Sequence, residues 1–185
     1  MGVEKVCIYP CGGIGLIVSC VARLAAYISE EELIHPSGKI GILSPSSLLR
    51  GLEEDRRMVE ECPTVVIDGC AHQCGSNFLL LLGIEPIARI YTPEIMLETH
   101  LEPGRTRKEL EESGKLLARE VARQATTIAR GLLETPDYPY LRQTLRPNPA
   151  PLFDYSVDVE KELGYVSVAP GIYRPAVMPP FPFRL

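Results

Sequence analysis

Three of the six cysteines stand where a thiol can do chemistry. Cys11 follows a predicted strand at residues 5–9, and Cys70 follows another at 64–67. Cys74 lies four residues after Cys70, about one turn along the next predicted helix, so the two sulfurs can face the same side. A thiol at a helix N-terminus is favoured as the thiolate, which binds metals and attacks electrophiles. The pattern predicts a metal site or a reactive thiol site.

Three thiols and one imidazole have the composition of a zinc site, in which sulfur and nitrogen ligands surround the metal tetrahedrally. His72 lies between Cys70 and Cys74 and is the histidine nearest to them in sequence. We therefore predict Cys11, Cys70, Cys74 and His72 as the metal ligands and zinc as the metal, with an iron–sulfur cluster as the alternative cofactor. Two further alternatives are a thiol redox or sulfur-handling protein, in which Cys70 and Cys74 cycle between dithiol and disulfide, and a pair of buried helix cysteines without a metal.

The other three cysteines are predicted to lie away from this site. Cys62 precedes the strand that Cys70 follows, and at about 3.3 Å per residue it lies roughly 20 to 25 Å from Cys70, on the opposite sheet edge. Cys7 lies inside the first strand and is expected to be a small buried hydrophobe. Cys20 is about two turns into the first helix and is expected to face the core.

Strands and helices alternate through the first half of the chain. The predicted strands cover 5–9, 39–43, 64–67 and 86–91, and the predicted helices cover 14–32, 45–61 with Ser44 as N-cap, 73–82 and a long segment from 105 to 133. This alternation favours an α/β, Rossmann-like three-layer fold with a mostly parallel sheet of about four strands and a long C-terminal helix. Ligands of open α/β sheets bind at the carboxyl ends of the strands, so we expect the three thiols to meet at that edge.

The last 50 residues differ in composition from the rest. Ten of the 17 prolines lie after residue 135, among tyrosines and phenylalanines. That proline density is incompatible with helices and central strands, whereas the aromatics are unlike a solvated linker. We predict two parts: an α/β cysteine-containing domain at 1–135, and an extended Pro/aromatic-rich interaction arm at 136–185 that binds a protein partner or folds back on its own domain.

Charge and hydropathy exclude some classes of partner. The net charge of −5 gives no field that would hold nucleic acid, so none is expected as a partner. The longest apolar run, residues 78–84, is far shorter than the roughly 20 residues of a spanning helix, so no membrane span is expected. The cysteines are confined to the first 74 residues of a chain too long to need a disulfide framework, which favours a reducing, cytoplasmic location.

The segment 65–74, Val-Val-Ile-Asp-Gly-Cys-Ala-His-Gln-Cys, resembles the signature of the DGC-domain proteins, a family named for Asp-Gly-Cys and described as candidate zinc-binding proteins. The early turn Cys11-Gly12-Gly13 is similar to the cysteine-glycine turn of that family, and the resemblance covers roughly residues 5–92. Family members usually carry two further cysteines, where this chain has Gly13 and the run 44–47. The resemblance implies a zinc-binding module. Because the long helix and the arm have no counterpart in the short family pattern, we expect an accessory subunit of a larger complex, or a structural subunit with a degenerate metal site.

Overall fold

A computed structural model describes residues 3–13, 15–34, 38–106 and 108–135, together with the backbone of two strands at 165–169 and 172–175. The chain divides into two compact units, Met1–Leu145 and Arg146–Leu185. The boundary predicted at residue 135 stays a prediction, because the residues that follow it lie outside the described ranges.

Four strands of the first unit form one parallel sheet, which confirms the predicted fold class. They are β1 (Val6–Pro10), β2 (Ile40–Ile42), β3 (Thr64–Asp68) and β4 (Ala88–Tyr91). The order across the sheet is β2-β1-β3-β4, and every neighbouring pair is parallel. β1 and β3 are buried along their whole length, as expected of central strands that are covered on both faces.

Within the described ranges, seven helical segments surround the sheet. They are α1 (Ile17–Ile28), a π-helical turn (Ser29–Leu33), α2 (Pro45–Arg50), α3 (Glu53–Glu61), α4 (Cys74–Leu81), α5 (Thr92–Thr99) and α6 (Glu112–Glu134). Alternate strand residues feed two cores, as the two-residue period of a strand requires. One core joins Ile8 and Ile67 to α1 and α6, and the other joins Tyr9 and Val66 to α2, α3 and α4. The fold is therefore three-layered.

The helix predictions differ from the structure in detail. The helix predicted at 14–32 is α1 followed by the π-helical turn, and it begins at Ile17. The predicted helix at 45–61 is two helices, because Gly51 takes a left-handed conformation with φ 72° and ends α2. Ser44 stands at the N-cap position, but its hydroxyl interacts with Ser46 instead of capping a backbone N–H. The long helix begins at Glu112 rather than at 105, because the backbone is still extended at the N-cap residue Glu111, with ψ 169°. α5 was not predicted.

The described part of the second unit is a pair of antiparallel strands, β5 (Tyr165–Ala169) and β6 (Ile172–Pro175). They fall within the segment predicted to be an extended arm, most of which lies outside the described residues. None of the described helices is long and apolar enough to cross a membrane.

Candidate functional site

The cysteines of interest lie where the chain reverses its direction of travel across the sheet. From β1 the chain passes to β2 on one side and then to β3 on the other, so the gap beyond the carboxyl ends of β1 and β3 is the topological switch point, where α/β folds bind ligands. Cys11 follows β1 directly, and its N–H donates to the Ile67 carbonyl of β3 at 2.8 Å. Cys70 lies two residues beyond the end of β3.

Cys11 is the anionic centre of this site. Its side chain is 2% exposed, and its Sγ lies 3.6 Å from the Ser19 hydroxyl in α1. A hydrogen bond from the Cys74 thiol is the largest influence on its pKa and lowers it. Backbone donors at Gly13 and Gly69 and the Ser19 hydroxyl act in the same direction. Together they outweigh the cost of burial and lower the pKa of Cys11 to about 5.

The two thiols of the Asp-Gly-Cys-x-x-x-Cys segment are held in the protonated form. Cys74 is exposed and is the first residue of α4, and the hydrogen bond that it gives to Cys11, followed by burial, raises its pKa. Burial first, then the charges of Cys11 and Asp68, raise the pKa of Cys70. The Cys70 Sγ lies 3.4 Å from the His72 Nδ1. The site therefore has two adjoining pairs, Cys11 with Cys74 and Cys70 with His72.

Asp68 fixes the start of α4, and with it the position of Cys74. The buried carboxylate accepts the N–H groups of Gly75 at 3.0 Å and Ser76 at 3.3 Å, and the Ser76 hydroxyl also donates to it. A carboxylate at a helix N-terminus satisfies unpaired N–H groups and complements the helix dipole. Burial nevertheless dominates and raises the pKa of Asp68. The side chain is thus used as a cap.

Comparison with protein-family models matches the DGC domain over residues 7–121, which is more than half of the chain. The chain belongs to the DGC-domain family. No curated protein and no solved structure matches it. The predicted resemblance, drawn from residues 5–92, is therefore confirmed, and the family match extends into α6.

Gly13 stands where this DGC domain departs from the cysteine expected near the first turn. A Cβ atom at residue 13 would lie 2.9 Å from the Ser19 Oγ and 3.7 Å from the Cys11 Sγ. Ser19, which supports the Cys11 thiolate, thus occupies space that a side chain at 13 would need. Arg23 also bonds to the glycine turn after β1. Its guanidinium donates to the Gly13 carbonyl at 3.3 Å and to the Cys20 Sγ at 3.2 Å.

Sequence reasoning missed a polar contact beneath the Cys70 turn. Gln73 is 2% exposed and adopts the left-handed conformation, with φ 48°. Its Oε1 accepts a hydrogen bond of 2.6 Å from Arg89 in β4, and the Arg89 guanidinium carbon lies 6.0 Å from the centre of the Tyr91 ring. A lone arginine inside an otherwise apolar predicted strand was the signal that could have revealed it.

The structure places Cys11 and Cys74 near enough for each thiol to shift the pKa of the other, and it places Cys70 and His72 against each other at the same sheet edge. Within the described ranges, no three His, Cys, Asp or Glu side chains are grouped so as to hold a metal. Zinc ligation by the four residues stays a prediction. Cys7 is buried in β1, and Cys62 follows α3 at the amino end of β3, as expected. Cys20 is half-buried beside Arg23 and does not face the core as expected.

Proposed function

We propose that this DGC domain binds one zinc ion at the switch point through Cys11, Cys74, Cys70 and His72. The position of Cys11 and Cys70 at the adjoining carboxyl ends of β1 and β3 carries the proposal, and Cys74 at the start of α4 lies near enough to Cys11 to lower its pKa. Soft thiolate ligands select zinc, copper(I) or iron–sulfur centres over magnesium or calcium. The sulfur and nitrogen donors are of the types that zinc binds. They are arranged as two pairs, Cys11 with Cys74 and Cys70 with His72, rather than as one closed cluster.

The residues around the proposed ligands prepare the site for a cation. The Gly13 and Gly69 N–H groups stabilise a thiolate at Cys11 without a bound metal, and the Asp68 cap holds Cys74 at the head of α4. Bound zinc would supply charge neutralisation and a fixed link between the two strand ends. Ligation by Cys74 and Cys70 requires both thiols to lose their protons, so zinc affinity should increase with pH.

Elemental analysis of anaerobically purified protein tests this function. We expect stoichiometric zinc in the parent protein and its loss in Cys70→Ser, whose fold is checked by circular dichroism. Cys20→Ser is the matched control, because Cys20 is also half-buried but contacts Arg23 rather than the pair. Zinc that is unchanged in Cys70→Ser, or absent from the parent protein after reconstitution, would contradict the proposal.

Thiol redox chemistry is the second candidate, and the asymmetry of the Cys11–Cys74 pair favours it. The buried member is the thiolate and the exposed member is the thiol. Oxidation by a small-molecule disulfide would join the two sulfurs and release two equivalents of the small thiol. A metal-free protein that forms the Cys11–Cys74 disulfide reversibly would support this candidate over zinc binding, and visible absorbance of the anaerobic protein would indicate an iron–sulfur centre.

We further propose that the chain acts as a cytoplasmic accessory subunit whose residues 136–185 bind a protein partner. All six cysteines are free thiols, which agrees with a reducing compartment. The composition of the arm, proline with interleaved aromatics, suits wrapping over another surface at a low entropic cost.

A further inference from the structure

A second pair of thiols lies at the opposite edge of the sheet. Cys7 in β1 is 0% exposed, and Cys62, the residue that follows α3, packs against the buried cluster that contains Cys7. The backbone holds the two together, because the Cys7 N–H donates to the Pro63 carbonyl at 2.9 Å. The Cys7 Sγ also lies 3.5 Å from the Met58 carbonyl oxygen in α3. This contact follows from the pairing of β1 with β3, in which Cys7 is opposite Thr64.

An open cleft of about 450 Å³ gives access to one member of this pair. It lies between the end of α3 and the turn after α4, and Cys62 is part of its lining. Cys62 is half-buried, whereas Cys7 lies behind it in the core. Glu61 and Glu85 also line the cleft, together with Glu60, whose carboxylate is paired with Arg56 at 2.9 Å. The charges of Glu61 and Glu85 favour cationic over anionic entrants.

We propose that Cys62 and Cys7 are a thiol–disulfide exchange site, at which Cys62 reacts with a cationic small-molecule disulfide in the cleft and Cys7 resolves the product. The Cys62 sulfur attacks one sulfur of the reagent, so a mixed disulfide forms and one equivalent of the small thiol leaves. The Cys7 sulfur then attacks Cys62, gives up its proton and displaces the second equivalent. Two protein thiols are oxidised to one disulfide, and one disulfide is reduced to two thiols.

The order of attack follows from access and protonation. Only Cys62 borders the cleft, whereas burial and the neighbouring Cys62 raise the pKa of Cys7 to about 12. Cys7 is therefore a thiol within the core, and it reacts only with the adjacent sulfur. The pair is independent of the proposed zinc site, because Cys11 and Cys70 lie beyond the other ends of the same two strands.

Peptide mapping after treatment of the full-length protein with cystamine tests the proposal. Trypsin followed by cleavage before Asp68 yields the peptide 58–67, which contains Cys62, separately from 68–89, which contains Cys70 and Cys74. We expect 58–67 to be linked to the peptide 6–23, which contains Cys7 together with Cys11 and Cys20, and fragmentation of the linked peptides locates the bond. In Cys7→Ala the link should be lost and 58–67 should carry cysteamine instead, whereas the control Cys20→Ala, altered in the same tryptic peptide, should keep the link.

A second variant keeps the test decisive if Cys7→Ala disturbs the core. In Cys62→Ala, at the more accessible position, Cys7 should remain a free thiol under the same treatment. Three results would overturn the proposal: a parent protein in which 58–67 is unlinked, a link that persists in Cys7→Ala, or oxidation of Cys7 in Cys62→Ala. None of these readouts depends on zinc, so failure here is distinguishable from failure of the proposed function.

Discussion

Cys11 shows how hydrogen-bond donors lower the pKa of a buried thiol. Its donors come from four separate segments: the glycine turn after β1, the Ser19 hydroxyl of α1, the glycine that follows β3, and the thiol at the head of α4. A thiolate that accepts several hydrogen bonds is stabilised even where burial disfavours charge. A negative charge at Cys11 therefore disfavours a second charge at Cys70 or Cys74.

The first prediction concerns this charge. As pH rises in the metal-free protein, the ultraviolet absorbance of one thiolate should appear with a midpoint near the pKa of about 5, far below the ordinary thiol value of about 8.5. Cys11→Ser should remove this step, and Ser19→Ala should move it to higher pH because one donor is lost. Cys20→Ser is the control. A step that survives in Cys11→Ser would assign the thiolate to another residue.

Gly69 supplies the second prediction, because it has no room for a side chain. A Cβ atom there would lie 3.1 Å from the carbonyl carbon and oxygen of Val18, which are backbone atoms at the start of α1. Overpacking of this kind costs about 1–3 kcal/mol, so Gly69→Ala should lower the free energy of unfolding by that amount in denaturant titrations. Gly15→Ala is the matched control, since open space surrounds that position. Equal free energies of unfolding for Gly69→Ala and Gly15→Ala would show that the turn after β3 accommodates the added methyl group at little cost.

At the scale of elements, α1 and α6 pack against each other and form the main helical layer on one face of the sheet. Both helices present alanines, among them Ala25 and Ala122, which are 0% exposed. Small side chains allow the two backbones to approach closely. Ser29, which directly follows α1, links the two helices. Its hydroxyl contacts the Ala25 carbonyl of α1 at 2.9 Å and the Ala122 carbonyl of α6 at 3.2 Å.

The third prediction tests that link between helices. Ser29→Ala should lower the free energy of unfolding by about 1 kcal/mol, the usual contribution of a buried hydrogen bond, with no change in the thiolate titration. Ser46→Ala, at an exposed position in α2, is the control. An unchanged denaturation midpoint for Ser29→Ala would mean that the hydroxyl contributes nothing to the packing of α1 on α6.

The elements also show which parts of the structure the sequence could predict. Apolar periodicity located the four strands, and the positions after β1 and β3 placed Cys11 and Cys70 at one edge. The order of strands is a long-range property, so the neighbourhood of Cys7 and Cys62 could not be derived from spacing. Likewise, the contact of Gln73 with Arg89 depends on a left-handed residue that no local pattern indicates. The missed helix α5 had a local signal, because proline stands at its start.

For the whole molecule, the two thiol pairs mark the two ends of the central strands β1 and β3. Cys11 and Cys74 lie at the carboxyl end, beside the switch point, and Cys7 and Cys62 lie at the amino end, beside the acidic cleft. The same two buried strands therefore position both sites. Because the strands are 0% or nearly 0% exposed throughout, the two ends are separated by core rather than by solvent.

The fourth prediction concerns the separate contributions of the two units to folding and to partner binding. Among the residues whose side chains the structure describes, both hydrophobic cores consist of residues at or before Leu133. Deletion of residues 147–185 should therefore leave a folded protein with a cooperative thermal transition and the acidic Cys11 titration. The shortened chain should, however, no longer copurify with a partner protein that copurifies with the full-length chain. Circular dichroism and copurification with tagged full-length and shortened chains measure the two effects. If the shortened chain instead unfolds or aggregates in the absence of any partner, the aromatic residues of 147–185 belong to the core of this domain, and the proposal that they bind another protein is wrong.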